Sequence, residues 1–103
     1  MTILDSKNYA AEVENYDGLV VIDLYADWCG PCRMLAPTVE ALEDEYPDVK
    51  FCKTNVDDNP ELAAKFGVES IPFIAFVKDG ALVDRSIGFV PKERLAAILE
   101  AHR

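Results

Sequence analysis

The stretch Leu19-Val20-Val21-Ile22-Asp23-Leu24-Tyr25-Ala26 constrains the fold more than any other part of the chain. Its β-branched residues suit a strand, and its apolar character hardly alternates, so the strand needs cover on both faces, as in a parallel sheet. Helices must therefore lie above and below one sheet, and the flanking patterns supply them. From Pro31 to about Tyr46, Met34, Leu35, Val39, Leu42 and Tyr46 form an apolar stripe at helical spacing. Pro37 is expected to kink this helix early, and Pro47 to stop it.

Upstream, Ser6 is expected to cap a short helix reaching about Tyr16, with Tyr9, Val13 and Tyr16 on one face and Asp17-Gly18 at its end. Only a stub of strand fits before it, so that edge of the sheet is expected to be short or absent. Downstream, Val49 to Val56 reads as a strand, Asp57-Asp58-Asn59-Pro60 as a turn, and Pro60 to Phe66 as a short helix closed by Gly67. Phe73 to Lys78 and Ala81 to Ile87 read as strands joined by the hairpin signal Asp79-Gly80, and Pro91 opens a last helix bearing Leu95, Ile98 and Leu99. A βαβ-like first half followed by a hairpin and a helix predicts an α/β chain with a mixed sheet and helices on its faces. The loop after Ala26, at a strand's carboxyl end, is the expected functional position.

The chain has 103 residues and shows no repeat or linker, so a single domain over residues 1–103 is expected. Half its residues are apolar and 28% are charged, a globular composition that needs no disulfide scaffold. Its longest apolar run falls far short of the roughly 20 residues of a membrane span. Met1-Thr2-Ile3-Leu4-Asp5 turns polar at once, unlike a secretory leader, so the chain is expected to be cytoplasmic, or already processed. The net charge of −9 repels phosphate backbones and anionic membranes, so neither nucleic acid nor membrane is an expected partner. The acidic residues concentrate at Glu40, Glu43, Asp44, Glu45 and Asp48, and again at Asp57, Asp58 and Glu61, and read as a solvated helix face and loop.

Three cysteines are too few for a secreted disulfide framework, and the spacing Cys29-Gly30-Pro31-Cys32 points to redox or metal chemistry. A tetrahedral metal site needs two further ligands, for which only Cys52 and His102 remain, and the pair is followed by a helix instead of a second knuckle. Redox exchange is the better reading, and no metal or bound cofactor is expected. Two sulfurs at the start of a helix can lie close enough for a reversible disulfide. The positive helix end and the neighbouring thiol favour a Cys29 thiolate, lowering its pKa from a free value of about 8.5. Pro31 suits a first helical turn, and Gly30 is expected to let the chain turn tightly between the sulfurs. Cys29 would then attack a substrate disulfide and Cys32 would resolve the mixed disulfide.

Asp23 lies inside the apolar strand, where an isolated carboxylate is costly to bury and tends to keep its proton; the competing reading is an aspartate at a strand end in solvent. Cys52, in a predicted central strand, reads as a small hydrophobe.

The segment Trp28-Cys29-Gly30-Pro31-Cys32 resembles the active-site signature of the thioredoxin family. The resemblance spans essentially the whole chain, through Val21-Ile22-Asp23, Pro37, Lys53 with Asn55-Val56-Asp57, Ile71-Pro72, Asp79-Gly80 and Gly88. It implies a thioredoxin fold, with a central mixed sheet of four to five strands flanked by helices on both faces. It also implies a monomeric protein-disulfide reductase that acts on disulfide-containing proteins and is recharged by a thioredoxin reductase. By the same resemblance Cys29 is the nucleophile, Cys32 the resolving thiol, Asp23 the acceptor of the Cys32 proton through water, and Lys53 the charged partner of Asp23. Pro72 would be cis, leaving the Ile71 backbone to pair with an extended substrate. Trp28, Gly30, Pro31, Ile71 and Gly88, with Phe89, would form the substrate-binding rim. Tyr25 stands where the family often has a second tryptophan, Arg33 where lysine is common and Phe73 where threonine is common, departures that bear on partner choice. The rival readings are a disulfide oxidase or isomerase and a binding subunit without turnover. Gly30-Pro31, the family's reducing dipeptide, argues against the first, and the presence of both cysteines against the second.

Overall fold

A five-stranded mixed sheet runs through the computed structural model, which describes residues 1–103. The strands are β1 (Thr2–Ile3), β2 (Leu19–Tyr25), β3 (Lys50–Asn55), β4 (Phe73–Lys78) and β5 (Ala81–Ile87), in the spatial order β1-β3-β2-β4-β5. The pairs β1–β3 and β2–β3 are parallel, and β2–β4 and β4–β5 antiparallel. β2 occupies the centre, and every residue from Leu19 to Leu24 is buried, as its apolar run requires.

Alternation along β2 divides the core in two. Val20, Ile22 and Leu24 pack with Tyr9 and Val13 from the amino-terminal segment and with Leu62 and Phe66 at α2 (Pro60–Lys65). Leu19 and Val21 pack on the other face with Leu35, Val39 and Leu42 of α1 (Gly30–Glu45) and Leu95 and Leu99 of α3 (Lys92–His102). A fully buried leucine such as Leu35 stabilises the fold by about 1.5–3 kcal/mol relative to exposure. Asp23 follows Val21 in the alternation and therefore faces α1.

The amino-terminal segment departs from the expected helix. Asp5, not Ser6, caps it: the Asp5 carboxylate accepts the N–H groups of Lys7 at 2.8 Å and Asn8 at 2.9 Å, while the Ser6 hydroxyl donates to Glu61. Beyond this cap the chain makes a single π-helical turn, Ala10–Glu14, closed by the Asn15 N–H on the Ala10 carbonyl at 2.9 Å. So short a segment gains little from its own hydrogen-bond ladder. Burial of Tyr9 and Val13 sets its path instead. The stub of strand before it is present as β1, fastened by the Leu4 N–H on the Lys53 carbonyl at 2.8 Å and by the Thr54 hydroxyl on the Leu4 carbonyl at 3.0 Å.

Elsewhere the elements lie within a residue or so of their expected bounds. Pro37 sits inside α1 without ending it, although it removes the N–H that would bond the Arg33 carbonyl. Gly67, at φ 66°, closes α2, with the Val68 N–H on the Ala63 carbonyl at 3.0 Å. Asp79 and Gly80 have φ of 51° and 85°, the paired positive values of a tight hairpin turn. A bulge at Phe76/Val77 disrupts the ladder beside the exposed edge strand β5 and so blunts it.

Candidate active site around Cys29 and Cys32

The β2 strand delivers the chain to a short loop, Ala26 to Cys29, from which α1 departs. Cys29 is the residue that caps α1, and its sulfur accepts the Cys32 backbone N–H at 3.2 Å. The sulfur thus sits at the end of the helix where free amides and the macrodipole favour negative charge. Pro31 occupies the first turn, where no intrahelical N–H is required of it. Cys29 and Cys32 are joined as a disulfide, with Cα atoms 5.2 Å apart, and each is 4% exposed. Gly30 has no left-handed φ, and a Cβ built there meets nothing nearer than Arg33 at 4.0 Å. Its backbone thus does not require glycine, contrary to the expected tight turn.

Asp23 lies under α1. Its β3 partner in register is Lys53, and it lines a cavity of about 180 Å³ shared with Cys32, Ala36 and Tyr25. The residue is 6% exposed, and its Oδ1 has no hydrogen-bond partner. Burial pushes its carboxyl up from 3.8 to about 6, while the positive charge of Lys53 pulls the other way. A carboxyl of that kind exchanges its proton near neutrality. Lys53 makes no ion pair with Asp23; its Nζ lies 6.0 Å from the centroid of the Tyr25 ring. The Tyr25 phenol is raised by burial and by the charges of Asp27, Asp23 and Asp58.

The rim residues gather on the exposed side of the disulfide. Trp28 is 70% exposed, and its indole N–H donates to Asp57 at 2.8 Å. Asp57, read from sequence as part of a solvated loop, therefore orients the largest side chain at the site; the parallel pairing of β2 and β3 brings together the loops at their carboxyl ends that make this bond, and no local pattern signals it. The Ile71–Pro72 bond is cis, and Ile71 takes part in no backbone–backbone hydrogen bond. The Cys29 sulfur lies 4.0 Å from the Ile71 carbonyl. Gly88 donates its N–H to the Pro72 carbonyl at 2.8 Å, adopts φ 89° and has open space where a side chain would project. Phe89 beside it is half exposed. Cys52 and His102 lie apart from this group: Cys52 is fully buried in the core on the opposite face, and His102 is 3.2 Å from Asp84.

Residues 1–101 match the family model described as Thioredoxin. Among known proteins, the chain is 43% identical over 103 residues to the thioredoxin of Bacillus subtilis, covering 99% of each. It is 42% identical over 101 residues to the thioredoxin of Chlamydia muridarum, covering 98% of this chain and 97% of the relative. It is also 39% identical over 103 residues to the chloroplastic thioredoxin M5 of Oryza sativa, of which it covers 60%.

Proposed function

This chain belongs to the thioredoxin family of thiol-disulfide oxidoreductases, and we propose that it reduces protein disulfides with Cys29 as nucleophile, Cys32 as resolving thiol and Asp23 as proton acceptor. The observation that carries this reading is the Cys29 sulfur at the head of α1, bonded to the Cys32 amide and covalently within reach of the Cys32 sulfur.

In the reduced chain, Cys29 thiolate attacks one sulfur of the substrate disulfide. A Cys29–substrate S–S bond forms, the substrate's own S–S bond breaks, and its other sulfur leaves as a thiolate that takes a proton from solvent. Cys32 then loses its proton to Asp23 and attacks the Cys29 sulfur. The Cys29–Cys32 bond forms, the mixed disulfide breaks, and the second substrate sulfur departs as a thiolate that takes a proton from solvent. The substrate gains two electrons and the chain loses two. Asp23 suits its step because it shares a cavity with Cys32 and titrates near 6, and Lys53 modulates it from the adjacent strand. Trp28, Gly30, Pro31, Ile71, Pro72 and Gly88 are read as the substrate contacts, and the free Ile71 backbone supports pairing with an extended segment.

We read residues 1–103 as one monomeric domain that works in the cytoplasm, is recharged by a thioredoxin reductase and binds neither nucleic acid nor membranes. One continuous sheet and the net charge of −9 support this reading, and no helix is long and apolar enough to cross a membrane. The test is reduction of insulin disulfides with candidate reductases, NADPH-linked or ferredoxin-linked, as electron source. Wild type is expected to turn over and Cys29→Ser and Cys32→Ser to stop; equal turnover in all three discards the mechanism.

A further inference from the structure

Two hollows meet at the exposed indole beside the disulfide. One, of about 390 Å³, lies between Trp28, Cys29, Pro31 and Ile71. The other, of about 270 Å³, continues from Trp28 and Ile71 toward Val56 and Pro60. Glu69 lines both, is exposed, and belongs to no ion pair of the chain. Apart from Cys29 it is the only ionisable side chain lining either hollow. Arg85 shares a separate hollow with Glu69, on the side of Phe73 and Ile87, without pairing to it.

We propose that Glu69 is a specificity-determining residue, selecting disulfide substrates that carry lysine or arginine beside the attacked cysteine. The inference rests on the exchange chemistry proposed above and adds the class of substrate it favours. With the substrate cysteine bonded to Cys29, the residues flanking it enter the hollow that Cys29 and Glu69 both line.

A cation there meets a carboxylate that no group of the chain neutralises, on one wall of the hollow. On the other wall it meets the Trp28 indole, which the Asp57 hydrogen bond holds in place, so a guanidinium or ammonium can lie over the ring. Its alkyl stem covers the apolar floor between them. An acidic residue there meets like charge with no basic side chain in either hollow to offset it. The excess negative charge of the whole chain biases encounter in the same direction but acts over a longer range. Removing Glu69 alone separates the two effects.

The experiment uses three synthetic disulfide-bonded peptides that differ only at the two residues flanking the attacked cysteine, carrying lysine, alanine or glutamate there. Single-turnover reduction by the pre-reduced chain is followed at low and high ionic strength. The quantity compared is the lysine-to-glutamate rate ratio within each protein, so a general change in activity cancels. Wild type is expected to favour the lysine peptide by about three- to tenfold at low salt, as an exposed charge pair set against an exposed like-charge contact allows. High salt should shrink the ratio, Glu69→Gln should bring it near unity and Glu69→Lys should reverse it. A wild-type ratio of one overturns the inference, and so does an undiminished ratio in Glu69→Gln, which would assign the preference to net charge. Failure of wild type to reduce even the alanine peptide would instead overturn the exchange chemistry, and this inference with it.

Discussion

Replacing Asp23 with asparagine removes a titrating group from the centre of the sheet while keeping its shape. In the oxidised chain burial raises the Asp23 carboxyl from 3.8 to about 6. At 1.36 kcal/mol per pH unit, that rise corresponds to about 3 kcal/mol. Proton counting fixes the sign. Between pH about 4 and 6 the folded chain holds the Asp23 proton and the unfolded chain has lost it, so stability falls as pH rises through that window. The stabilising, protonated state is fully present below the unfolded value and lost above the folded one. Asp23→Asn cannot lose this stability. Its advantage over wild type should therefore grow by about 3 kcal/mol between pH 3 and pH 8, a large share of the 5–15 kcal/mol typical of a domain. Urea unfolding of both oxidised proteins across that range measures the growth, and any fixed cost of burying the amide cancels in the comparison. A difference that stays flat with pH, or shrinks as pH rises, would refute the account of Asp23 as a buried acid held protonated by its surroundings.

Lys53 pulls the Asp23 carboxyl down, so Lys53→Met should move its midpoint above 6 in a carboxyl NMR titration; an unchanged or lower midpoint removes Lys53 from the site. Cys52 is fully buried and its thiol is pushed up to about 11, so the folded oxidised chain should take up no iodoacetamide at pH 8 and the unfolded chain one equivalent. Rapid alkylation of the folded chain contradicts this. At Gly80, where φ is 85° and a Cβ would come within 2.9 Å of the Glu14 carbonyl, Gly80→Ala should cost at least about 1–2 kcal/mol in urea unfolding. A cost near zero would show that the hairpin turn does not press on the amino-terminal segment.

The sequence was most legible where a local pattern and its tertiary setting agree. The apolar run of β2 demands cover on both sides and has it, and Asp79-Gly80 supplies the two positive φ values its turn needs. Pro31 and the two cysteines announce a helix start that is also the reactive position. The amino-terminal segment was less legible because its helical spacing reports only which residues are buried, and a π turn buries Tyr9 and Val13 as an α-helix would. The bond from Trp28 to Asp57 was invisible because it joins two loops 29 residues apart. Asp23 and Lys53 could be paired only by resemblance; the parallel register of β2 and β3 sets them side by side, yet Lys53 reaches toward Tyr25 instead of closing an ion pair. Nothing around Glu69 in sequence reveals that its side chain lines two adjoining hollows.

The division of labour between the two sulfurs is tested most directly by mass spectrometry of the Cys32→Ser chain mixed with a disulfide-bonded protein. Without a resolving thiol, a stable covalent adduct should accumulate, and proteolysis should map it to Cys29 alone, with Cys29→Ser forming none. An adduct mapped to Cys52, or none from a Cys32→Ser chain shown to be folded, would contradict the assignment of Cys29 as the attacking residue.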